Sequence, residues 1–226
     1  MCVKIVGDGL KRMVEKQENV FYYLTLLNEN YAMPGLQSGT EEQIIKGMYL
    51  FKPGAKSAKA PTVQLLGSGT ILRESIAAQE LLEKDWGVSA NVWSCPSFNE
   101  LARDGLDCER HNMLHPTAAP RVPFVTQQLG PHDGPVVAAT DYMKNYVDQI
   151  RGFIPRGRTY KVLGTDGFGR SDYRKALRDF FEVDRHHVAL AALTSLAAEG
   201  AVDAAIPGKA IRSYGIDPER PAPWRV

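Results

Sequence analysis

Residues 62–86 read TVQLLGSGTILRESIAAQELLEKDW, and their pattern sets the fold class. Val63 to Leu66 is a short apolar run of strand type, and Gly67 to Gly69 is a turn. Ile71, Ala78, Leu81, Leu82 and Trp86 then fall on one face of a helix from Thr70 to about Trp86. A strand that turns straight into such a helix is half of a crossover unit, the connection that parallel strands require. The cycle recurs downstream. Asn91 to Ser94 reads as a strand, followed by a helix capped by Ser97 and running to about Arg110. Phe124 to Gln127 and Val136 to Thr140 read as further strands, the second leading through Asp141 as cap into a helix over Tyr142 to Ile154. Tyr160 to Gly164 is the last strand. After it Ser171 or Asp172 caps a helix with the stripe Tyr173, Ala176, Leu177, Phe180 and Phe181. Strands alternating with helices give a three-layer α/β/α domain built on a mostly parallel sheet.

Working outward from this unit, Val188 to Ala198 is apolar nearly all round, so that helix either sits centrally or packs against another chain. Toward the N-terminus, Met48 to Phe51 is an antiparallel edge strand and Glu41 to Gly47 a short helix. The tract KPGAKSAKAP at 52–61 is too polar and too rich in Pro, Gly and Lys to pack, and is read as an exposed hairpin tip or linker. Val20 to Leu27 (VFYYLTLL) reads as a buried strand, ended by the polar NENY at 28–31. Ahead of it, Val3, Val6, Leu10, Met13 and Val14 keep helical spacing with no capping residue in front. The expectation is that Met1 marks an artificial boundary or an internal start inside a longer protein, with a frayed N-terminal helix as the competing reading.

Lysine and arginine number 27 against 26 for aspartate and glutamate, so no bulk positive charge advertises nucleic acid or an anionic membrane as partner. No apolar run approaches the roughly 20 residues of a membrane span, and the first residues do not resemble a signal peptide. The three cysteines, Cys2, Cys95 and Cys108, suit neither a disulfide framework nor a zinc site, and a reducing cytoplasm is the expected location.

Several motifs carry possible chemistry. GTDGFG at 164–169 runs from a strand toward a helix and could present backbone N–H groups to a phosphate, but it lacks both GxGxxG spacing and a P-loop lysine, so a structural turn is the competing reading. GSG at 67–69 is judged the same way. His111 and His115, near Glu109 and Cys108, share a helical face, yet Pro116 follows and no other ligand pair appears. His186 and His187 point to different faces. Gly7, Asp8 and Gly9, with Asn28 and Asn30 downstream, superficially match the magnesium–diphosphate motif of thiamine-dependent enzymes, but Asp8 sits inside the opening helical stripe rather than at a strand end. No GxSxG elbow or paired catalytic Cys and His is present.

Five segments resemble one family: KQENVFYYLTLLNENYAMP at 16–34, VQLLGSGTILRE at 63–74, ELARDGLDCER at 100–110 with NMLHP at 112–116, VVAATDYMK at 136–144, and VLGTDGFGRSDYRKALRDFFEVD at 162–184. They resemble the C-terminal part of the homodimeric pyruvate dehydrogenase first component, the thiamine-diphosphate-dependent decarboxylating subunit of a bacterial multienzyme complex. The resemblance implies that residues 1–35 are the tail of a pyrimidine-binding domain, 36–61 a connecting segment, and 62–226 a transketolase-like C-terminal domain, with a start near 47 as the alternative. It further implies that thiamine diphosphate and Mg belong to the longer parent and that none is bound by this chain. Its catalytic and cofactor residues lie upstream, which leaves the chain inactive alone. The implied partners are a second copy in a homodimer and the dihydrolipoyl acetyltransferase of the complex. Related transketolases read close to TRQN where Leu27, Asn28, Glu29 and Asn30 stand here, and only Asn30 matches. By that resemblance Asn28, Glu29, Asn30 and Tyr31 stand at the mouth of the substrate channel, with loss of the arginine suiting a substrate without phosphate; a plain strand-end turn is the other reading. The family carries Trp at His111 and aromatic or aliphatic residues at His186 and His187, which argues against metal or acid–base roles there. The alternative to the enzyme reading is an interaction module binding an anionic ligand at GTDGFG.

Overall fold

The computed structural model describes residues 1–26, 35–55 and 60–226. Its core is a sheet of β1 (Tyr49–Lys52), β2 (Thr62–Gly67), β3 (Ser89–Ser94), β4 (Val136–Ala139) and β5 (Tyr160–Leu163), in the order β1-β3-β2-β4-β5. β2 is parallel to both neighbours, with Leu65 opposite Val92 on one side and Val137 on the other. β5 extends the parallel set from β4, and β1 closes the other edge antiparallel to β3. This is the mostly parallel sheet with one antiparallel edge strand that the alternating pattern implies.

Side chains alternate across a strand, so each strand feeds two cores. Val63, Leu65, Val92, Val137 and Ala139 enter one, beneath α3 (Leu72–Trp86), α8 (Arg185–Ala198) and α9 (Ile206–Tyr214). Leu66, Trp93, Val136 and Ala138 enter the other, against α4 (Phe98–Leu114), α5 (Phe124–Leu129) and α6 (Lys144–Asp148). Of the two readings open for the apolar helix, the central one holds: α8 buries Val188, Ala189, Ala192, Leu193 and Leu196 within its own chain. One polar side chain sits on a central strand without cost, because Gln64 has its amide filled. Its Oε1 accepts from Trp93 Nε1 at 2.9 Å and Asn91 Nδ2 at 3.1 Å, while its Nε2 donates to the Asp133 carbonyl at 2.8 Å.

A buried carboxylate ties the C-terminal helices to this frame. Glu74, in the first turn of α3, is 4% exposed. It accepts from Arg178 Nη1 at 3.1 Å, from Arg185 Nε at 2.9 Å and from the Arg185 backbone N–H at 3.1 Å. Arg178 lies on α7 (Arg174–Phe180), so one acid joins α3, α7 and the start of α8.

Several expectations are corrected. Residues 20–26 form no strand and are not buried: Phe21 is 87% and Tyr23 85% exposed, since no described strand lies beside them. The helical stripe ahead of them does form, as α1 (Cys2–Leu10) continuing through a π-helical turn over Lys11–Glu15, but Val3, Val6, Leu10 and Val14 remain exposed. Phe124–Gln127 is not a strand but the start of α5. Pro123 sets the entry, the Phe124 N–H donates to Asp104 Oδ2 at 2.5 Å, and Phe124, Val125 and Leu129 are buried at helical spacing. Asp141 caps no helix. α6 starts later, at Lys144, whose N–H is taken by Asp166 from the loop after β5 at 3.2 Å. Neither Ser171 nor Asp172 caps α7, which begins after Tyr173, and of the expected stripe Tyr173 is exposed while Phe181 packs on the core.

The tract at 52–61 is anchored at its start rather than loose. Gly54 N–H donates to Asn91 Oδ1 at 2.9 Å, the Ala55 N–H to Glu83 Oε1 at 2.9 Å, and Ser89 Oγ to the Ala55 carbonyl at 2.8 Å. Residues 56–59 lie outside the described set.

Two stability measurements check this packing. Gly134, at φ +86°, lies where a Cβ would collide with the Thr62 carbonyl at the start of β2. Gly134→Ala is expected to cost more than about 3 kcal/mol in urea unfolding; a loss below about 1 kcal/mol contradicts the close approach. Glu74→Gln keeps the shape but removes the charge, and a loss of about 2 kcal/mol is expected. A neutral result would show that the clamp does not hold α7 and α8.

Candidate functional site

In open α/β sheets, ligands gather outside the carboxyl ends of strands where the winding direction reverses. Here the chain leaves β2 toward β3 on one side and returns to β4 on the other, so the reversal lies between the ends of β2 and β4. Ser68 Oγ and Thr140 Oγ1, one residue past each strand, are hydrogen-bonded at 2.8 Å and buried. Asp141 follows. Burial pushes its carboxyl above the usual carboxylate range, opposed by its own backbone N–H and by the positive charges of Arg178 and Arg174. A cavity of about 780 Å³ lies between the first turn of α3, α7 and the start of α8, lined among others by Arg174 and Arg178.

The GTDGFG loop is spent on structure. The Thr165 N–H donates to the Tyr142 carbonyl at 2.9 Å, and the Thr165 hydroxyl to the Asp141 carbonyl at 2.9 Å. Gly167, at φ +111°, lies against the backbone of Pro223 and Trp224, a place no Cβ could occupy. The loop therefore splices the end of β5 to the end of β4 and to the C-terminal segment, as a structural turn does.

The other candidates resolve individually. His111 and His115 stack at 4.3 Å on the exposed end of α4. His111 is held below the ordinary imidazole range by partial desolvation and by the positive charges of Arg121 and His115. Among the described residues, one group of three side chains could converge on a metal, Asp179, Asp184 and His187. Its members have other employment: Asp184 Oδ1 caps α8 through the His187 N–H at 3.0 Å and accepts from His187 Nδ1 at 2.7 Å, and Asp179 Oδ2 accepts from Arg220 at 2.8 Å. His186 stacks on Tyr214. Burial drives the Cys95 thiol far up and raises Cys108, so neither is an activated nucleophile.

Asp8 belongs to α1, not to a strand end, and its Oδ2 accepts from the Tyr22 hydroxyl at 2.5 Å. Arg12 Nη1 donates to the same hydroxyl at 3.2 Å and Arg12 Nε to Glu18 at 2.7 Å. Among the described residues Asp8 belongs to no group of three His, Cys, Asp or Glu side chains that could converge on a metal, and its carboxylate is engaged by Tyr22. Asn28, Glu29, Asn30 and Tyr31, expected at a channel mouth, lie outside the described residues. Just before them Thr25 Oγ1 accepts from the Tyr142 hydroxyl at 2.6 Å, beside the carboxyl end of β4.

The model of the transketolase-like TK C-terminal domain matches residues 47–184. This chain belongs to that family. Residues 1–34 of this transketolase-like chain match the middle domain of the pyruvate dehydrogenase E1 component. Among curated proteins it is 55% identical over 222 residues to the pyruvate dehydrogenase E1 component of Cupriavidus necator, a match covering 98% of this chain and 25% of the relative. It is 56% identical to the protein of the same name from Pseudomonas aeruginosa, covering 97% and 25%. The chain thus spans about a quarter of the length of the curated relatives it matches. A Pichia stipitis transketolase structure aligns at TM-score 0.46 and 18% identity over 74% of this chain and 20% of that one.

Sequence reading missed the cavity of this transketolase-like domain, because its walls come from segments a hundred residues apart. The signal available was the i, i+4 pair Arg174 and Arg178 with Lys175 between them. For the opening helix, Asp8→Ala is expected to cost about 1 kcal/mol through the lost Tyr22 bond, while calorimetric heats with magnesium and thiamine diphosphate stay as in the parent. A saturable, magnesium-dependent heat that vanishes in Asp8→Ala would contradict the assignment.

Proposed function

We propose that this chain is the carboxyl-terminal portion of a pyruvate dehydrogenase E1 component, an enzyme that decarboxylates pyruvate and passes the acetyl unit to a lipoyl group of the dihydrolipoyl acetyltransferase. The observation that carries the reading is identity above one half across 97–98% of the chain to relatives of that one name. In this reading residues 1–35 complete the middle, pyrimidine-binding domain, 36–61 connect, and 62–226 form the C-terminal domain, whose family match begins at 47.

The exposed apolar face of the opening segment supports that division. Val3, Val6, Leu10, Val14, Phe21, Tyr23 and Leu26 stand uncovered, each forgoing roughly 1.5–3 kcal/mol of burial. The proposed cover is the rest of the middle domain, to which this segment belongs by family match. Thiamine diphosphate with Mg, when bound by the rest of the enzyme, supplies the carbanion-stabilising chemistry of decarboxylation. What this chain adds in this reading is a scaffold: a sheet domain, the surface of a homodimer and, by the family resemblance alone, Asn28, Glu29, Asn30 and Tyr31 for the mouth of the substrate channel. No helix of the described residues is long and apolar enough to cross a membrane, and a cytoplasmic setting accords with three cysteines that form no disulfide.

The test is a chimera joining the upstream three quarters of the Cupriavidus necator relative to this chain, assayed with pyruvate, thiamine diphosphate, magnesium and lipoamide. Acetyl-lipoamide should form with the chimera and stay at background with the 226-residue chain alone. Product from the isolated chain, or a folded and cofactor-binding chimera without activity, contradicts the proposal.

A further inference from the structure

Residues 216–226 cross the domain with three anchors. Just before them α9 ends on Tyr214, whose hydroxyl accepts from Trp86 Nε1 of α3 at 2.7 Å, and Gly215 turns the chain at φ +65°. Midway the Arg220 guanidinium holds the end of α7, donating to Asp179 Oδ2 and to the Asp179 carbonyl, each at 2.8 Å. At the far end Pro223 is buried, and the backbone of Pro223 and Trp224 lies directly on Gly167 of the GTDGFG loop, where a Cβ would come within 2.7 Å of the Pro223 carbonyl oxygen. The Lys144 ammonium, at the start of α6, stands 4.2 Å from the centre of the Trp224 ring, the geometry of a cation–π contact.

The sequence of this stretch suits a strap. Pro218, Pro221 and Pro223 fix three backbone φ angles within six residues, so little conformational freedom is left to lose when the segment is pinned. What it pins is itself a junction. From the GTDGFG loop the Thr165 N–H donates to the Tyr142 carbonyl at 2.9 Å, and Asp166 Oδ2 accepts from the Lys144 N–H at 3.2 Å. Gly164 lies so close to the same backbone that a Cβ would come within 2.7 Å of the Tyr142 carbonyl oxygen and of the Lys144 nitrogen. The Tyr142 hydroxyl in turn donates to Thr25 Oγ1 at 2.6 Å. Contacts therefore run from Trp224 through the loop to the carboxyl end of β4, and from there across to the opening segment. Trp224 belongs to neither apolar core and is half exposed, so shortening its side chain opens no core cavity and removes only its grip on the loop and Lys144.

We propose that residues 216–226 are a strap that sets the carboxyl end of β4: Trp224 holds the GTDGFG loop, the loop holds Tyr142 and Lys144, and Tyr142 holds Thr25. Arg220 fixes the course of the strap over α7, and the aromatic ring of Trp224 closes it on Lys144. Thr25 lies in the part of the chain that matches the middle-domain model and Tyr142 in the part that matches the C-terminal one. In the enzyme reading above, on which this clause alone rests, Trp224 is thereby a positioning residue at the join of the two domains, acting through Tyr142 and touching no reacting atom.

Peptide-resolved hydrogen exchange of the 226-residue chain tests the strap. With Trp224→Ala, peptides over residues 142–146 and 164–168 should exchange about tenfold faster while those of β2 and β3 keep their rates. Trp224→Phe, which restores a ring over Lys144, should bring exchange back to within about twofold of the parent chain, and Arg225→Ala, an exposed neighbour, should change nothing. The strap is overturned if Trp224→Ala leaves both peptides at the parent rate, if the whole sheet accelerates with them, or if Trp224→Phe behaves as Trp224→Ala does. Should Trp224→Ala fail to fold, Lys144→Gln, read on the same peptides, decides the matter. The positioning role is read in the chimera described above, where Trp224→Ala should lower kcat/KM for pyruvate about fivefold and Trp224→Phe should restore it. Unchanged kinetics in a chimera whose exchange does respond overturn that role. A chimera inactive with Trp224 in place contradicts the enzyme reading instead, and the strap then stands or falls on the exchange rates of the chain.

Discussion

Strand β2 has no solvent face, and most of the architecture follows from that constraint. It is hydrogen-bonded on both edges and buried on both sides, so it needs parallel neighbours, crossover helices and two separate cores. Its apolar side chains divide between those cores by simple alternation, and Gln64, the one exception, is admitted because Trp93, Asn91 and the Asp133 carbonyl fill its amide. Parallel neighbours on both edges also fix where the winding reverses. The Ser68–Thr140 pair marks that point, and α3 leaves it carrying Glu74, so the clamp on α7 and α8 is placed by the same strand.

The opening segment contrasts with this. α1 and the residues after it are fastened by polar contacts, Asp8 with Tyr22, Arg12 with Glu18 and Thr25 with Tyr142, while large apolar side chains such as Val3, Phe21 and Tyr23 face outward. The sheet domain satisfies its buried surface from within, and the opening segment does not. The match of this segment to a different domain model from that of the sheet gives the difference a structural meaning. In the proposed enzyme the two parts serve different neighbours.

Periodicity made the sheet legible. β2, α3, β3, α4, β4 and β5 each carry a run of two-residue or helical period with a turn or cap at its edge, and Ser97 caps α4 through the Glu100 N–H as its position indicates. What stayed hidden depends on contacts distant in sequence. Phe124 to Gln127 is too short for period to separate helix from strand, and its fate is set by Asp104 and Phe153 from other elements. Lys144 finds its cap in Asp166, twenty-two residues away. VFYYLTLL has strand composition, yet a strand needs a partner edge, and none of the described residues supplies one. The cavity was invisible for the same reason, since Arg73 and Arg174 line it from segments about a hundred residues apart.

Hydrogen–deuterium exchange of the 226-residue chain, resolved by peptide, tests most directly whether the core is self-sufficient while the opening segment awaits cover. Amides of β2, β3 and β4 should exchange only through global unfolding, and those of residues 1–26 should exchange within a few orders of magnitude of the free-peptide rate. Protection of residues 1–26 equal to that of the sheet, in a monomeric chain, would contradict the account.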